Sequence, residues 1–388
     1  MSLVNIWTSS RNELENKLFR QIIALAGSGK LLDDKDTSKE VRDFLSLVPS
    51  KKLSAYALEC LHEKFEDSGH ALQDLINQIG RRLGFIVSYG RYRGKASQIG
   101  HDGLWKTSQG ASIVVEVKTT DAYRLDLDVI AGYRRSLIKS GDIENENSSM
   151  LIVVGREDTG GLEAQIRGSK YAWDIRLISV DSLIRLLNLK EEIEDPGIMQ
   201  KIRAILTPQE YTKVDGIIDL VFSTTENVKI EEELETQAVE SDKKQPKFTP
   251  VSFNEACISK IEKVLNKPLV KLSRATYITS DELLHLLCVV SREHIRAGIK
   301  SFWFAFHNYQ KEALEKAENS YLAFGCGSEK TILLIPFKEF KKWLDGMHTT
   351  QSESRFYWHV VIHLEKNRLI LQRRKGYEKI ELTNHLVK

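Results

Sequence analysis

Three side chains between Ile99 and Thr120 have the types and spacing to do chemistry together: Asp102, Glu116 and Lys118. Ser112-Ile-Val-Val-Glu-Val-Lys118 predicts a buried strand, because branched aliphatic residues surround a single carboxylate and the run is too short for a helix. In a strand Glu116 and Lys118 share a face, about 7 Å apart along the chain. Asp102 lies between Gly100 and Gly103, where the backbone can turn tightly. The turn Lys106-Thr-Ser-Gln-Gly110 would then bring its strand beside that of Glu116. A buried carboxylate and amine are costly unless something uses them. Two carboxylates and a backbone carbonyl are hard oxygen ligands of the kind Mg²⁺ takes, with Mn²⁺ as a substitute. Such an ion polarises a phosphate and acidifies water, while Lys118 orients or stabilises the attacking hydroxide. The chemistry to expect is phosphodiester hydrolysis.

The elements that must position these groups are legible on both sides. Upstream, Gly69 to Phe85 carries apolar residues at 72, 75, 76, 79 and 83, a helical stripe ended by Gly84, and Phe85-Ile-Val-Ser88 then opens a strand. Downstream, Asp126 to Ile138 reads as a helix and Ser149 to Gly155 as a fully buried strand. Ala172 to Ser179 reads as a further strand and Val180 to Asn188 as a helix. Asp102 with Glu116-x-Lys118, in the order helix, three strands, helix, strand, resembles the PD-(D/E)xK nuclease superfamily over about residues 60–220. The resemblance implies an α/β fold with a restriction-endonuclease-like αβββαβ core, and a Mg²⁺ ion held by Asp102, Glu116 and Val117. The first helix of that superfamily commonly carries a glutamate that assists the metal, and Gln73 holds that place here. A glutamine can hydrogen-bond a metal-bound water but adds no charge to hold a second ion. Glu66 and Asp74 are the substitutes to consider, Asp74 lying about 100° round the helix from Gln73. His101 is a candidate phosphate contact.

A chain of 388 residues predicts two or three domains, and 41% hydrophobic with 28% charged residues excludes wholesale disorder. No apolar run approaches the roughly 18 residues of a membrane helix, and the N-terminus lacks a charged-then-apolar signal pattern, so a cytoplasmic protein without a membrane partner is expected. Cys60, Cys257, Cys288 and Cys326 form no C-x-x-C pair and read as free, buried thiols. Residues 1–60 read as helical. Ser10-Arg-Asn-Glu13 resembles a capping box opening a helix through Leu25, a second helix begins near Thr37, and a third follows Ser50. Gly27-Ser-Gly-Lys30 fails as a phosphate loop, because Leu31 replaces the required hydroxyl and the segment follows a helix. A nuclease domain over 61–222 would be joined to a C-terminal domain, 251–388, by an acidic linker over 223–250 that lacks periodic apolar positions.

The C-terminal domain carries 22 Lys and Arg against 15 Asp and Glu, and holds 16 of the chain's 32 aromatic residues. Ser301–His307, Thr331–Ile335, Arg355–His363 and Arg368–Gln372 read as strands and Phe337–Leu344 as a short helix, which suggests an α+β domain with an antiparallel sheet. Trp303 and Trp358 read first as core residues. Alternatively, with Arg373, Arg374 and Lys375, they form an aromatic pocket that grips a base. His359 and His363 share a strand face but have no third ligand in sequence.

The expected function is therefore Mg²⁺-dependent cleavage of double-stranded DNA by a restriction-type endonuclease, with a recognition domain that reads sequence or base modification and a homodimer that cuts both strands. Competing readings are a structure-selective nuclease of repair or recombination, a defence effector whose C-terminal domain senses a nucleotide, and a non-catalytic DNA-binding or assembly factor.

Overall fold

A computed structural model describes residues 2–63, 65–93, 99–119, 124–155, 159–193, 196–208, 250–296, 299–352 and 355–387. The acidic linker expected over 223–250 lies outside these residues except for Pro250. The described chain is mixed α/β and divides into two compact units.

The first unit begins with five helices: α1 (Leu3–Ser9), α2 (Asn12–Glu15), α3 (Phe19–Leu25), α4 (Asp36–Leu47) and α5 (Ser50–His62). The helix expected from Ser10 through Leu25 is broken, and Ser10 closes α1 instead of opening α2. The reason lies in packing. Leu14 and Phe19 are both buried, yet on one continuous helix they would point about 140° apart. The break turns both inward, and the Glu59 carboxylate of α5 accepts the freed Phe19 and Arg20 amides at 2.6 and 3.1 Å. Leu3, Trp7, Phe19 and Phe44 share one apolar core with Ile76, Trp105 and Val115, so the N-terminal helices are part of this unit.

Next come α6 (Ser68–Arg82), β1 (Ile86–Tyr89), β2 (Gly103–Lys106), β3 (Ser112–Lys118), α7 (Leu127–Ser140), β4 (Ser148–Val154), α8 (Gly160–Arg167), β5 (Ile175–Ser179), α9 (Val180–Glu192) and α10 (Pro196–Ile205). The sheet order is β1-β2-β3-β4-β5, antiparallel across the first three strands and parallel across the last three. The parallel half is nearly all branched aliphatic because helices cover both of its faces. Ile113, Val115, Leu151 and Val153 turn to the core shared with α6 and α9, whereas Val114, Met150, Ile152 and Val154 turn to the core shared with α7 and α8. Leu72, Leu75, Ile76 and Ile79 of α6 form the stripe expected from the spacing, and Gly84, at φ +91, stops the chain from continuing it. The α8 helix was not legible; eight residues beginning Gly-Gly carry only Leu162 and Ile166 into the core.

The second unit contains α11 (Pro250–Leu265), β6 (Val270–Lys271), β7 (Thr276–Ile278), β8 (Leu284–Ser291), β9 (His294–Arg296), β10 (Ile299–His307), α12 (Asn308–Lys316), β11 (Asn319–Cys326), β12 (Ile332–Pro336), α13 (Phe337–Phe340), β13 (His348–Ser352), β14 (Arg355–Glu365), β15 (Arg368–Gln372) and β16 (Ile380–Glu381). One sheet, β16-β15-β14-β10-β9 with β13 on β14, is antiparallel throughout and takes in the expected strands at 301–307, 355–363 and 368–372, whereas the expected strand at 331–335 falls in the other sheet as β12. The other, β12-β11-β8-β7-β6, has a parallel β8–β11 pair. Parallel neighbours need a long crossover, and β9, β10 and α12 supply it. The expected helix over 337–344 is four α-helical residues followed by a 3₁₀ turn. Cys60, Cys257, Cys288 and Cys326 are free and buried. Among the described residues no helix is long and apolar enough to cross a membrane.

Candidate active site

The β2–β3 register, with Gly103 opposite Val115, carries Asp102 to the place opposite Glu116. Its backbone amide donates to the Val115 carbonyl at 3.1 Å. Its side chain continues the ladder: Asp102 Oδ2 accepts the Val117 amide at 2.6 Å, between Glu116 and Lys118. Strand alternation sends Val117 to the α6 side and Glu116 and Lys118 to the α7 side. Lys118 Nζ donates to Glu116 Oε1 at 2.6 Å. Glu116 is 7% exposed and its second oxygen, Oε2, is buried with no hydrogen-bond partner, while the Lys118 side chain is 38% exposed. The residues predicted from spacing are thus brought together where β3 ends.

Three donors hold the Asp102 carbonyl oxygen: the Gly90 amide at 2.9 Å, Gln73 Nε2 at 3.0 Å and Asn77 Nδ2 at 2.9 Å. Asn77 Oδ1 in turn accepts Trp105 Nε1 at 2.9 Å. The clamp works only at close quarters, since a Cβ on Gly103 would come within 2.1 Å of Asn77 Oδ1 and one on Gly90 within 1.9 Å of the His101 carbonyl. Gln73 therefore positions the Asp102 backbone, and its amide nitrogen is committed there instead of to a metal-bound water. Neither expected substitute serves. Glu66 is exposed and pairs with Lys30 at 2.9 Å. Asp74 is fully buried, bound to Arg42 at 3.0 Å and to the Tyr92 hydroxyl. His101 is half-buried with an unpartnered Nδ1, and burial lowers its pKa, which leaves it neutral and poorly suited to an electrostatic phosphate contact.

Burial, and then the neighbouring Glu116 carboxylate, raise Asp102 from the ordinary carboxylate range to about 7, with the Val117 amide and Lys118 opposing. Burial also raises Glu116, against the pull of Lys118. Burial works against the Lys118 ammonium, but Glu116 outweighs it and holds the lysine above its ordinary value. The arrangement is two crowded acids and a firmly protonated amine. Added positive charge would relieve the crowding.

Sequence reasoning missed Asn77 and Tyr133. Tyr133, on α7, stands over the same face, and a Cβ on Gly100 would meet its hydroxyl oxygen at 3.3 Å. Burial first, then the Glu116 charge, raise its pKa. A helical tyrosine one residue after a glycine carries no local mark of this position. Asn77 had a signal, a polar residue on the apolar face of α6, that only the fold explains.

The second unit does not assemble the expected aromatic pocket. Trp303 lies opposite Val361 on the half-exposed face of its sheet. Trp358 lies opposite Phe306, with ring centroids 5.8 Å apart, on the core face. The tryptophans occupy opposite sides because 303 and 306 differ by an odd number. Arg373 and Arg374 flank the Tyr377 ring at 4.9 and 5.6 Å. His359 binds Trp303 and Thr350 in place of a metal partner.

No protein-family model and no curated protein matches this chain. Among the described residues no three His, Cys, Asp or Glu side chains gather around a common point. Any ion at β3 must use two carboxylates and backbone oxygen. That donor set, with the unpartnered Glu116 Oε2, fits a hard divalent cation that keeps several waters.

Proposed function

We propose that this chain is a Mg²⁺-dependent endodeoxyribonuclease of the PD-(D/E)xK type, whose second unit contributes nucleic-acid recognition. The observation that carries the reading is the Asp102 carboxylate seated on the Val117 amide, beside an unpartnered Glu116 oxygen and the Lys118 ammonium. The order α6, β1, β2, β3, α7, β4 supports it, since it is the order of that superfamily's core.

Asp102, Glu116 and the Val117 carbonyl would hold the ion, with Mn²⁺ able to replace Mg²⁺. When bound, it supplies Lewis-acid polarisation of the phosphate and a lowered pKa for water. The chain's own residues do the rest. Lys118 keeps its proton at neutral pH, so it serves as a fixed positive charge against the developing phosphorane and as a donor to the attacking oxygen, not as a base. Gln73, Asn77 and Gly90 hold the Asp102 backbone so that its carboxylate need not reorganise. The resemblance implies in-line attack by water with cleavage of the P–O3′ bond; the leaving oxygen takes up a proton, and the ends are a 5′-phosphate and a 3′-hydroxyl. Cutting both strands of a duplex requires two such sites, met by a dimer on DNA.

The test is incubation of the purified chain and Mg²⁺ with unmodified, methylated and hydroxymethylated duplexes, followed by end mapping. Cleavage with 5′-phosphate ends that disappears in Glu116→Ala supports the reading. Intact DNA under every condition, or equal cleavage by Glu116→Ala, refutes it.

A further inference from the structure

In β10 Phe302, Phe304 and Phe306 are buried, while Trp303, Ala305 and His307 face the other way and are half-exposed. The register extends that outer face across three strands. His307 lies opposite Tyr357, Ala305 opposite His359, and β13 adds Thr350 opposite Tyr357 and His348 opposite His359. Solvent-facing sheet positions usually alternate polar side chains. Here the Tyr357 ring lies 5.0 Å from His359, 5.5 Å from His307 and 6.4 Å from Trp303, and Tyr309 stacks on His307 at 5.1 Å. Trp303 and Tyr357 lie to either side of the Ala305–His359 pair and lean together over it, so the rings form one continuous aromatic surface.

The rings are fixed in advance. Trp303 Nε1 donates to His359 Nδ1 at 3.1 Å, which makes Nδ1 the acceptor of a neutral imidazole. The proton then resides on Nε2, which donates to Thr350 Oγ1 at 2.7 Å. A stacking ligand would find the indole already oriented and would not have to order it. At the end of β13 nearest His348, the Arg374 amide donates to the Gly346 carbonyl at 2.7 Å, which places the turn of Arg373, Arg374 and Lys375 beside the strand, with Arg374 and Lys375 exposed.

We propose that this face binds an unpaired nucleobase of a nucleic-acid strand, stacked on the outer side of the Trp303, His307 and Tyr357 rings, with the strand's phosphates toward Arg374 and Lys375. Rings favour any planar base, because every base has a π-face. The excess of 22 Lys and Arg over 15 Asp and Glu in residues 251–388 selects a polyanion over an uncharged aromatic ligand or an acidic one. The proposal deepens the recognition role given above and rests on that role, not on hydrolysis.

The experiment measures fluorescence anisotropy of a labelled 15-mer of deoxythymidylate against the full chain carrying Glu116→Ala, without divalent ions. Competition uses an unlabelled 15-base-pair duplex and free thymidine monophosphate. We expect Trp303→Ala and Tyr357→Ala, each of which removes a stacking ring, to weaken binding at least tenfold. Thermal melting within a few degrees of the parent certifies the fold of each variant, and either one alone suffices. Affinity within twofold of the parent in the variants that fold overturns the proposal, as does equal competition by duplex or by the free nucleotide. Cleavage by the wild-type chain, run in parallel, reports on the hydrolytic site separately, so either reading can fail without the other.

Discussion

Asp102 accepts the Val117 amide at 2.6 Å, and that one hydrogen bond joins an acid from β2 to the backbone between Glu116 and Lys118 of β3. It fixes where the second carboxylate stands, and the crowding of the two acids follows from it.

The crowding has a cost that shows in stability. The folded Asp102 pKa of about 7 lies above the unfolded value of about 3.9, so the folded chain retains a proton that the unfolded chain releases. Stability on this account is greatest below about pH 4 and falls as pH rises toward 7. Asp102→Asn keeps an acceptor for the Val117 amide and removes the charge. At pH 8 in the absence of divalent ions it should melt higher than wild type, by on the order of 4 °C, while losing cleavage. Differential scanning calorimetry at pH 5 and pH 8 checks this, with the larger gain at pH 8.

On the proposed hydrolytic reading, the same titration sets the pH profile of cleavage. Holding a cation requires ionised carboxylates, so cleavage at fixed, subsaturating Mg²⁺ should rise about tenfold from pH 6 to pH 8 and flatten above. Lys118 contributes no limb in this range because its pKa is raised. A rate that falls from pH 6 to pH 8 would contradict the assignment.

Gln73→Glu introduces the carboxylate common in the superfamily that the sequence resembles, yet here it sets an oxygen against the Asp102 carbonyl that Gln73 Nε2 now binds at 3.0 Å. The substitution should lower stability by about 1–3 kcal/mol and should not raise activity. Urea unfolding with a parallel cleavage assay reads both.

Asn77→Ala strips a donor from the Asp102 carbonyl and leaves the fully buried Trp105 N–H without its partner. A loss of about 2–4 kcal/mol is expected, along with weaker cleavage at temperatures where the fold persists.

Much of this was readable because strands and helices advertise themselves locally. The alternation in Ser112–Lys118 placed Glu116 and Lys118 on one face, and the stripe on α6 placed that helix to within a few residues. What escaped depended on partners far along the chain. The role of Gln73 rests on a carbonyl 29 positions away. The Phe19 and Arg20 amides at the start of α3 find their acceptor in Glu59, which no pattern near Ser10 announces. Trp303 and Trp358 read as a pair by composition, but the β10–β14 register decides that they part to opposite faces.

The most direct measurement is titration calorimetry of Mn²⁺ into the wild-type chain at pH 8, beside Asp102→Asn and Glu116→Gln. One ion per chain should bind to wild type, with affinity lowered at least tenfold in each variant although both remain folded. Binding of equal strength in all three, or no binding to wild type, would contradict a shared site for Asp102 and Glu116.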